Sequence, residues 1–198
     1  MNNLFTISSE VKAFIFDLDG TLVDSMPYHY MAWANACDYF HLKFPAEKMK
    51  EYPGLSTFKI AEDILTRFNP NRHTPTPKML SDKKFESFDR LLHLVKPIEP
   101  VIDVVKTYSG KIPMAVGTGG ARKAALKILN QLKIKKYFKV IVTAEDVQHH
   151  KPEPDTFLKC ADLLDIDSKN CLVFEDGDRG VEAAGRAGMA VIDVRTYL

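Results

Sequence analysis

Two patterns of apolar and polar positions alternate along this chain. Short apolar runs of about four to eight residues predict strands that are buried on both faces of a parallel sheet. Five such runs lie at residues 12–17, 113–118, 139–143, 171–175 and 190–194. Stretches with helical periodicity separate the later runs, at residues 100–109, 121–133, 155–165 and 178–187. This alternation predicts an α/β fold with a three-layer, Rossmann-like parallel sheet.

The connection between the first two predicted strands is too long to be a single helix. It spans about 95 residues, so it must contain an inserted module. Helical periodicity without any strand signal occurs at residues 26–40, 57–69 and 76–95, and prolines punctuate these stretches. We predict an all-helical cap domain at residues 25–96, inserted into a core domain formed by residues 1–24 and 97–198.

Carboxylates stand at the ends of two predicted strands, where packing does not require them. Asp17 and Asp19 follow the first run, and Glu175 and Asp176 end the fourth. The carboxyl ends of parallel strands border the crevice in which ligands bind, so the two pairs meet there if their strands are neighbours. Alternation places the side chains of Asp17 and Asp19 on the same side, close enough to share one hard cation. A strand-ending turn with helix-capping aspartates is the alternative.

Thr118 ends the second apolar run and precedes a predicted helix. Gly119 and Gly120 let the backbone approach a ligand closely, and the N–H groups at the start of the helix favour anions. This arrangement predicts a phosphate site, whereas the alternative is that Thr118 only caps the helix.

Lys151 lies just before a predicted helix start at Pro154 and Asp155, so its direction can be fixed. This context favours a site role over the usual surface position of a lysine. His149 and His150 lack such support. We expect them to be solvated loop residues, with substrate contact or local positioning as the alternative.

Four segments resemble the motifs of one family, in that family's order. FDLDGTLVDS, at residues 16–25, is similar to the first motif of the haloacid dehalogenase-like superfamily. Its three companions are PMAVGTGG at 113–120, HHKPEPDTF at 149–157 and VFEDGDRG at 173–180. The resemblance covers nearly the whole chain.

The resemblance implies roles for individual residues. Asp17 would be the nucleophile that becomes an aspartyl-phosphate, and Asp19 the general acid/base. Thr118, Gly119 and Lys151 would bind the transferring phosphate, Thr118 and Lys151 as part of the catalytic set. Mg²⁺ would be held by Asp17, by the backbone carbonyl of Asp19 and by Asp176, with Glu175 as an outer-sphere or variable ligand. Cations are needed because a carboxylate nucleophile and an anionic substrate repel each other.

The predicted cap would close over the cleft, exclude water and select the substrate. His29 matches a histidine with which the sugar-phosphate mutases of this family contact the reactive carboxylate and the substrate; a helix-surface position is the alternative. Thr57 is a further candidate for substrate contact. It stands in a segment where those mutases place an arginine for the second phosphate, and its presence weakens the mutase interpretation.

The residues of these motifs are also similar to those of small bacterial phosphatases that act on fructose 1-phosphate and 6-phosphogluconate. The resemblance therefore implies a Mg²⁺-dependent phosphatase of small sugar phosphates that works through an aspartyl-phosphate. The alternatives are a β-phosphoglucomutase-like enzyme and a non-catalytic phosphosugar-binding protein. The second would be expected to have lost Asp17, Asp19 or Lys151, which are all present.

Composition narrows the set of partners. The 198 residues carry a net charge of +1, which argues against an electrostatic nucleic-acid binder. No stretch is apolar for long enough to span a membrane, and the N-terminus lacks the pattern of a signal peptide. Three cysteines without a C-x-x-C spacing indicate reduced thiols. We expect a cytoplasmic monomer or weak homodimer whose partner is a small phosphorylated sugar.

Overall fold

The computed structural model describes residues 7–52, 55–70 and 74–197. It divides into two compact units. The first unit, formed by Met1–Asp24 and Lys96–Leu198, contains the α/β part of the chain. The second, Ser25–Val95, contains helices, where the sequence predicts an insert over residues 25–96.

Five parallel strands form the sheet of the first unit. The strands of the described chain are β1 (Ala13–Phe16), β2 (Val23–Asp24), β3 (Lys96–Pro97), β4 (Met114–Gly117), β5 (Val140–Val142), β6 (Cys171–Glu175) and β7 (Ala190–Asp193). The sheet has the order β5-β4-β1-β6-β7, and its neighbouring strands are all parallel. The five predicted strands and the predicted fold class are confirmed. The short antiparallel pair of β2 and β3 is an addition, because two residues per strand leave no pattern to detect.

Seven α-helices occur in the described residues. They are α1 (Met26–Tyr39), α2 (Thr57–Asp63), α3 (Pro77–Leu91), α4 (Glu99–Tyr108), α5 (Arg122–Gln131), α6 (Asp155–Leu164) and α7 (Asp178–Arg186). The first three belong to the helical unit, and α2 runs on into a π-helical turn, Ile64–Phe68. The last four lie on both sides of the sheet, and each begins within two residues of its predicted start.

The side chains of β1 alternate between the two faces of the sheet, and both faces are buried. Ala13 and Ile15 pack in a cluster with residues of α6 and α7, such as Phe157. On the opposite face the ring of Phe16 stacks on Phe174 of β6, with 4.5 Å between ring centroids. Because β1 is covered on both faces and paired on both edges, its carboxyl end is a rigid platform for the residues that follow it.

The helical unit has an apolar cluster of its own. Trp33 and Cys37 of α1 pack with Ile60 of α2 and Leu80 of α3. Two of its helices start with side-chain caps, since Ser56 accepts from the N–H of Lys59 and Thr76 does so for Met79, both at 3.3 Å. None of the helices described here has the length and apolar character that crossing a membrane requires.

Candidate active site

Three neighbouring strands bring polar residues to one edge of the sheet. β1 lies between β4 and β6, so the residues that follow these strands are adjacent. Asp17 follows β1, Thr118 follows β4, and Glu175 ends β6. The N–H of Asp17 still donates to the carbonyl of Phe174 at 2.9 Å, so the ladder between β1 and β6 continues up to the carboxylate. This is the strand edge where ligands bind in open α/β sheets.

Lys151 lies between two buried carboxylates. Its Nζ donates to Oδ1 of Asp17 at 2.5 Å and to Oε2 of Glu175 at 2.7 Å. All three side chains are less than a tenth exposed. The ammonium also lies 4.6 Å from the ring centroid of Phe157, which adds a cation–π contact. The structure therefore places Lys151 inside the cluster, as the motif predicts, and not on the surface.

The cluster holds more negative than positive charge. Burial and the neighbouring Glu175 raise the pKa of Asp17 well above its ordinary value, although Lys151 opposes the shift. Burial and Glu175 also raise the pKa of Asp176 to about 6. Burial alone would lower the pKa of Lys151, but Asp17 and Glu175 outweigh it and hold this pKa above its ordinary value. A further cation would relieve the carboxylates.

The carboxylates form a donor set that suits a hard cation. Oxygen atoms of Asp17, Glu175 and Asp176 lie within 4.8 Å of one another. Carboxylate and carbonyl oxygens without histidine or cysteine are the ligands that Mg²⁺ prefers. Oε1 of Glu175 already accepts the N–H groups of Asp176 and Gly177, and its Oε2 accepts from Lys151. Asp17 and Asp176 are therefore better placed as direct ligands, and Glu175 as the group that holds Lys151.

Two residues of the first motif fix Asp176. The hydroxyl of Thr21 donates to Oδ1 of Asp176 at 2.8 Å. Gly20 has φ of +92°, and a Cβ there would lie 2.2 Å from Oδ2 of Asp176. Only glycine permits both this backbone conformation and this approach. Thr21 was not among the predicted site residues, although its place in the motif was the available signal.

Asp19 lies elsewhere than its spacing predicts. Its carboxylate is not part of the cluster of Asp17, Glu175 and Asp176. The chain turns after Leu18, where the N–H of Gly20 donates to the carbonyl of Val23, so the alternation of a strand no longer applies. Oδ2 of Asp19 instead lies 3.2 Å from where a Cβ on Gly120 would be. The carboxylate of Asp19 thus faces the turn after β4, and a cation shared by the side chains of Asp17 and Asp19 stays a prediction.

That turn offers donors to an anion. Thr118 is buried, and its Oγ1 accepts the N–H of Gly120 at 2.9 Å. The N-cap of α5 is Ala121, so the simple capping alternative for Thr118 is wrong. Among the described residues, neither the hydroxyl hydrogen of Thr118 nor the N–H of Gly119 has an acceptor. Both are available to oxygen atoms of a phosphoryl group.

His29 of the helical unit is paired with a lysine that the sequence analysis missed. Lys84 is only 3% exposed, and its Nζ lies 2.9 Å from Nδ1 of His29. The imidazole also stacks on Phe88, with 3.9 Å between centroids. If Lys84 is protonated, its ammonium donates to Nδ1 of His29, and the ring N–H of His29 is then on Nε2. The available signal was a lysine four residues from both Leu80 and Phe88, on the buried stripe of α3.

Two other predicted positions have ordinary surroundings. Thr57 is partly exposed at the first turn of α2, and its carbonyl accepts from the hydroxyl of Ser81 at 3.4 Å. His149 is a loop residue whose side chain is 66% exposed, as expected for a solvated histidine, and its Nδ1 lies 2.9 Å from Oδ1 of Asp155 at the start of α6.

Comparison with known proteins places the chain in a family. A family model described as haloacid dehalogenase-like hydrolase matches residues 14–194. The chain belongs to the haloacid dehalogenase-like hydrolases. The resemblance of its four motifs to that family is thereby confirmed.

Relatives of this hydrolase include phosphatases and mutases. Fructose-1-phosphate phosphatase YqaB of Escherichia coli (strain K12) is 41% identical over 182 residues, which cover 91% of this chain and 95% of that protein. Beta-phosphoglucomutase of Bacillus subtilis (strain 168) is 29% identical over 188 residues, covering 93% and 83%. The solved structure of beta-phosphoglucomutase from Clostridium difficile has a TM-score of 0.77 at 27% identity, covering 91% and 83%. This hydrolase acts on phosphoric monoesters.

Proposed function

We propose that this hydrolase releases phosphate from small sugar phosphates, such as fructose 1-phosphate or 6-phosphogluconate, and depends on Mg²⁺. The observation that carries the chemistry is the buried Lys151, held between Asp17 and Glu175 at the edge of the sheet. The sugar class is supported by the 41% identity to fructose-1-phosphate phosphatase YqaB over nearly the whole of both chains.

The reaction proceeds in two displacements. Asp17 attacks phosphorus, and its new O–P bond forms as the bond from phosphorus to the sugar oxygen breaks. Asp19 gives its proton to the leaving sugar oxygen. In the second step Asp19 takes a proton from water, the water oxygen attacks phosphorus, and the bond to Asp17 breaks to release inorganic phosphate. Lys151, the hydroxyl of Thr118 and the N–H of Gly119 hold the phosphoryl oxygens throughout.

Mg²⁺ fits the donor set and would be held by Asp17, Asp176 and the backbone carbonyl of Asp19. When bound, it would neutralise charge on the carboxylates and on the phosphoryl group. The pKa values of Asp17 and Asp176 support this assignment: burial, together with the charge of Glu175, raises both, and a bound cation would stabilise the charged carboxylates.

A phosphomutase is the second candidate, since the mutase relatives cover the same part of the chain. A mutase binds a bisphosphate and needs a second cationic anion site. Thr57 supplies no charge. The helical unit does contain a cavity of about 400 Å³ lined by Lys59 and Arg67, but Glu62 and Asp63 line it as well. Arg67 pairs with Asp63 at 3.2 Å, so this cavity has no excess of positive charge for a second phosphate.

A phosphate-release assay over a panel of sugar phosphates separates the two candidates. We expect the wild-type protein to release inorganic phosphate from fructose 1-phosphate or 6-phosphogluconate without a bisphosphate activator. We expect no conversion of β-glucose 1-phosphate into glucose 6-phosphate. Efficient conversion on addition of catalytic β-glucose 1,6-bisphosphate would instead establish the mutase.

The metal assignment predicts unequal effects of two neighbouring carboxylates. EDTA is expected to abolish phosphate release, and Mg²⁺ to restore it. Asp176→Asn removes the charge of a direct ligand, so the Mg²⁺ concentration for half-maximal activity should rise about tenfold or more. Glu175→Gln should raise it less, because the oxygens of Glu175 are engaged by Lys151 and by backbone N–H groups. Titration calorimetry with Mg²⁺ alone checks the same order, and a larger effect of Glu175→Gln would contradict it.

The roles of His29 and Thr57 in substrate contact stay predictions. So do the monomeric or weakly dimeric state and the absence of nucleic-acid and membrane partners. A panel that includes both phosphorylated and unphosphorylated sugars tests His29 through His29→Ala, which should raise KM for the phosphorylated substrate.

A further inference from the structure

The side chain of Glu175 lies directly on the backbone of α7. A Cβ built on Gly180, the third residue of this helix, would be 2.0 Å from Oε2 of Glu175, 2.1 Å from its Cδ and 2.6 Å from its Cγ. Contacts this short do not occur between non-bonded atoms. Gly180 is also buried, so the carboxylate has filled the space that any other residue at position 180 would occupy.

Glycine at this position is unfavourable for the helix itself. Inside a helix it is less stable than alanine, because it loses more backbone freedom on folding. α7 contains a second glycine, Gly185, and a Cβ there would meet nothing within 4 Å. Helix formation and packing would therefore permit a side chain at position 185, while the close approach of Glu175 forbids one at position 180.

Glu175 links this contact to the reacting group. Its Oε2 accepts from Nζ of Lys151 at 2.7 Å, and the same Nζ donates to Oδ1 of Asp17 at 2.5 Å. Its Oε1 is held by the N–H groups of Asp176 and Gly177 at 3.1 and 2.9 Å. Any displacement of this carboxylate must break one of these contacts, because all of them are made in a single buried position.

We propose that Gly180 is a positioning residue of the reaction, which acts through Glu175 to hold Lys151 against Asp17. The inference rests on the proposed function, since it assigns Asp17 as nucleophile. A side chain at position 180 would shift the carboxylate of Glu175 by about 1 Å or more. Lys151 would then either move with this carboxylate or lose its hydrogen bond to it. The phosphoryl group would then be bound by a displaced cation, so that turnover falls more than substrate affinity.

The test is a double-mutant cycle with a matched control. Gly180→Ala is expected to lower kcat for phosphate release about 100-fold with KM changed less than about threefold. Gly185→Ala, the same substitution in the same helix, should leave both unchanged. In a Glu175→Ala background the carboxylate is gone, so Gly180→Ala should change the remaining kcat by less than about twofold.

Melting temperatures complete the cycle without any substrate. Gly180→Ala should lower the melting temperature by about 5 °C in the wild-type background, because a buried side chain is displaced. In the Glu175→Ala background the same change should leave it unaltered or raise it, because only the gain in helix propensity remains. This loss of the destabilising effect supports the proposal even for variants without measurable turnover.

Two results would overturn the proposal. One is a Gly180→Ala protein with wild-type kcat, and the other is an equal loss in both backgrounds. Failure of the wild-type protein to release phosphate from any sugar phosphate would instead refute the proposed function. The melting temperatures still measure the coupling of Gly180 to Glu175 in that case.

Discussion

Asp17→Asn is expected to abolish phosphate release, by about 10⁴-fold or more, while leaving the fold intact. The amide of asparagine cannot act as the nucleophile that forms the O–P bond. The fold should tolerate the change because the charge on Asp17 is itself unfavourable: burial and Glu175 raise the pKa of this carboxyl above its unfolded value. A carboxyl group with a raised folded-state pKa takes stability away as pH rises through that pKa. At neutral pH and in EDTA, the melting temperature of Asp17→Asn should therefore equal or exceed that of the wild type.

The nucleophile can also be observed directly. Beryllofluoride mimics a phosphoryl group on a carboxylate, so fluorine NMR should show a bound signal with the wild-type protein and none with Asp17→Asn. Asp103→Asn is the matched control, because Asp103 is an exposed carboxylate on α4, well separated in sequence from the cluster, and should behave as the wild type. Full activity of Asp17→Asn would refute the assignment of the nucleophile.

Lys151→Met should have the opposite effect on stability and a similar effect on turnover. It leaves the buried carboxylates of Asp17 and Glu175 without their cation, and loss of one partner from a buried ion pair costs about 3–5 kcal/mol. For a chain of this length that lowers the melting temperature by roughly 10 °C. Phosphate release should fall at least about 10³-fold, because the phosphoryl group and Asp17 then repel each other.

A cation should partly replace the missing ammonium. If Mg²⁺ binds the same carboxylates, millimolar Mg²⁺ should raise the melting temperature of Lys151→Met more than that of the wild type. Lys159→Met removes an exposed lysine from α6 and should change neither measurement. If Lys151→Met were as stable as the wild type in EDTA, the prediction would be wrong. The ion pairs of Lys151 would then not stabilise the buried carboxylates of Asp17 and Glu175.

The parts of the site that lie on strands were predictable, and those that depend on turns were not. The apolar run before Asp17 and the run ending at Glu175 identify two buried parallel strands, and their carboxyl ends must lie at one edge if they are neighbours. The position of Asp19 could not be obtained in this way. It follows a turn that Gly20 makes possible, and alternation along a strand says nothing about residues beyond its last ladder bond.

Contacts between polar groups on different elements could also not be predicted from the pattern of apolar and polar residues. In the sequence, Lys84 is one polar residue of an amphipathic helix. Only the folded structure shows that its ammonium lies beside His29. The sequence motif predicts Glu175 as a metal ligand. In the structure its oxygens instead accept hydrogen bonds from Lys151 and from backbone N–H groups, which no side-chain pattern reveals. The hydrophobic period identifies which face of an element is buried; it does not identify the partner of a polar group on that face.

The short antiparallel pair of β2 and β3 determines which changes in chain length the fold can accept. Val23 pairs with Pro97 and Asp24 with Lys96, so the segment Ser25–Val95 leaves and rejoins the α/β unit at a single point. An excursion that begins and ends at adjacent residues can lengthen, shorten or be exchanged without altering the register of the five-stranded sheet, and added length costs little closure entropy. Changes in the length of the inserted helical segment are therefore expected to leave the strands that carry the carboxylate cluster in place.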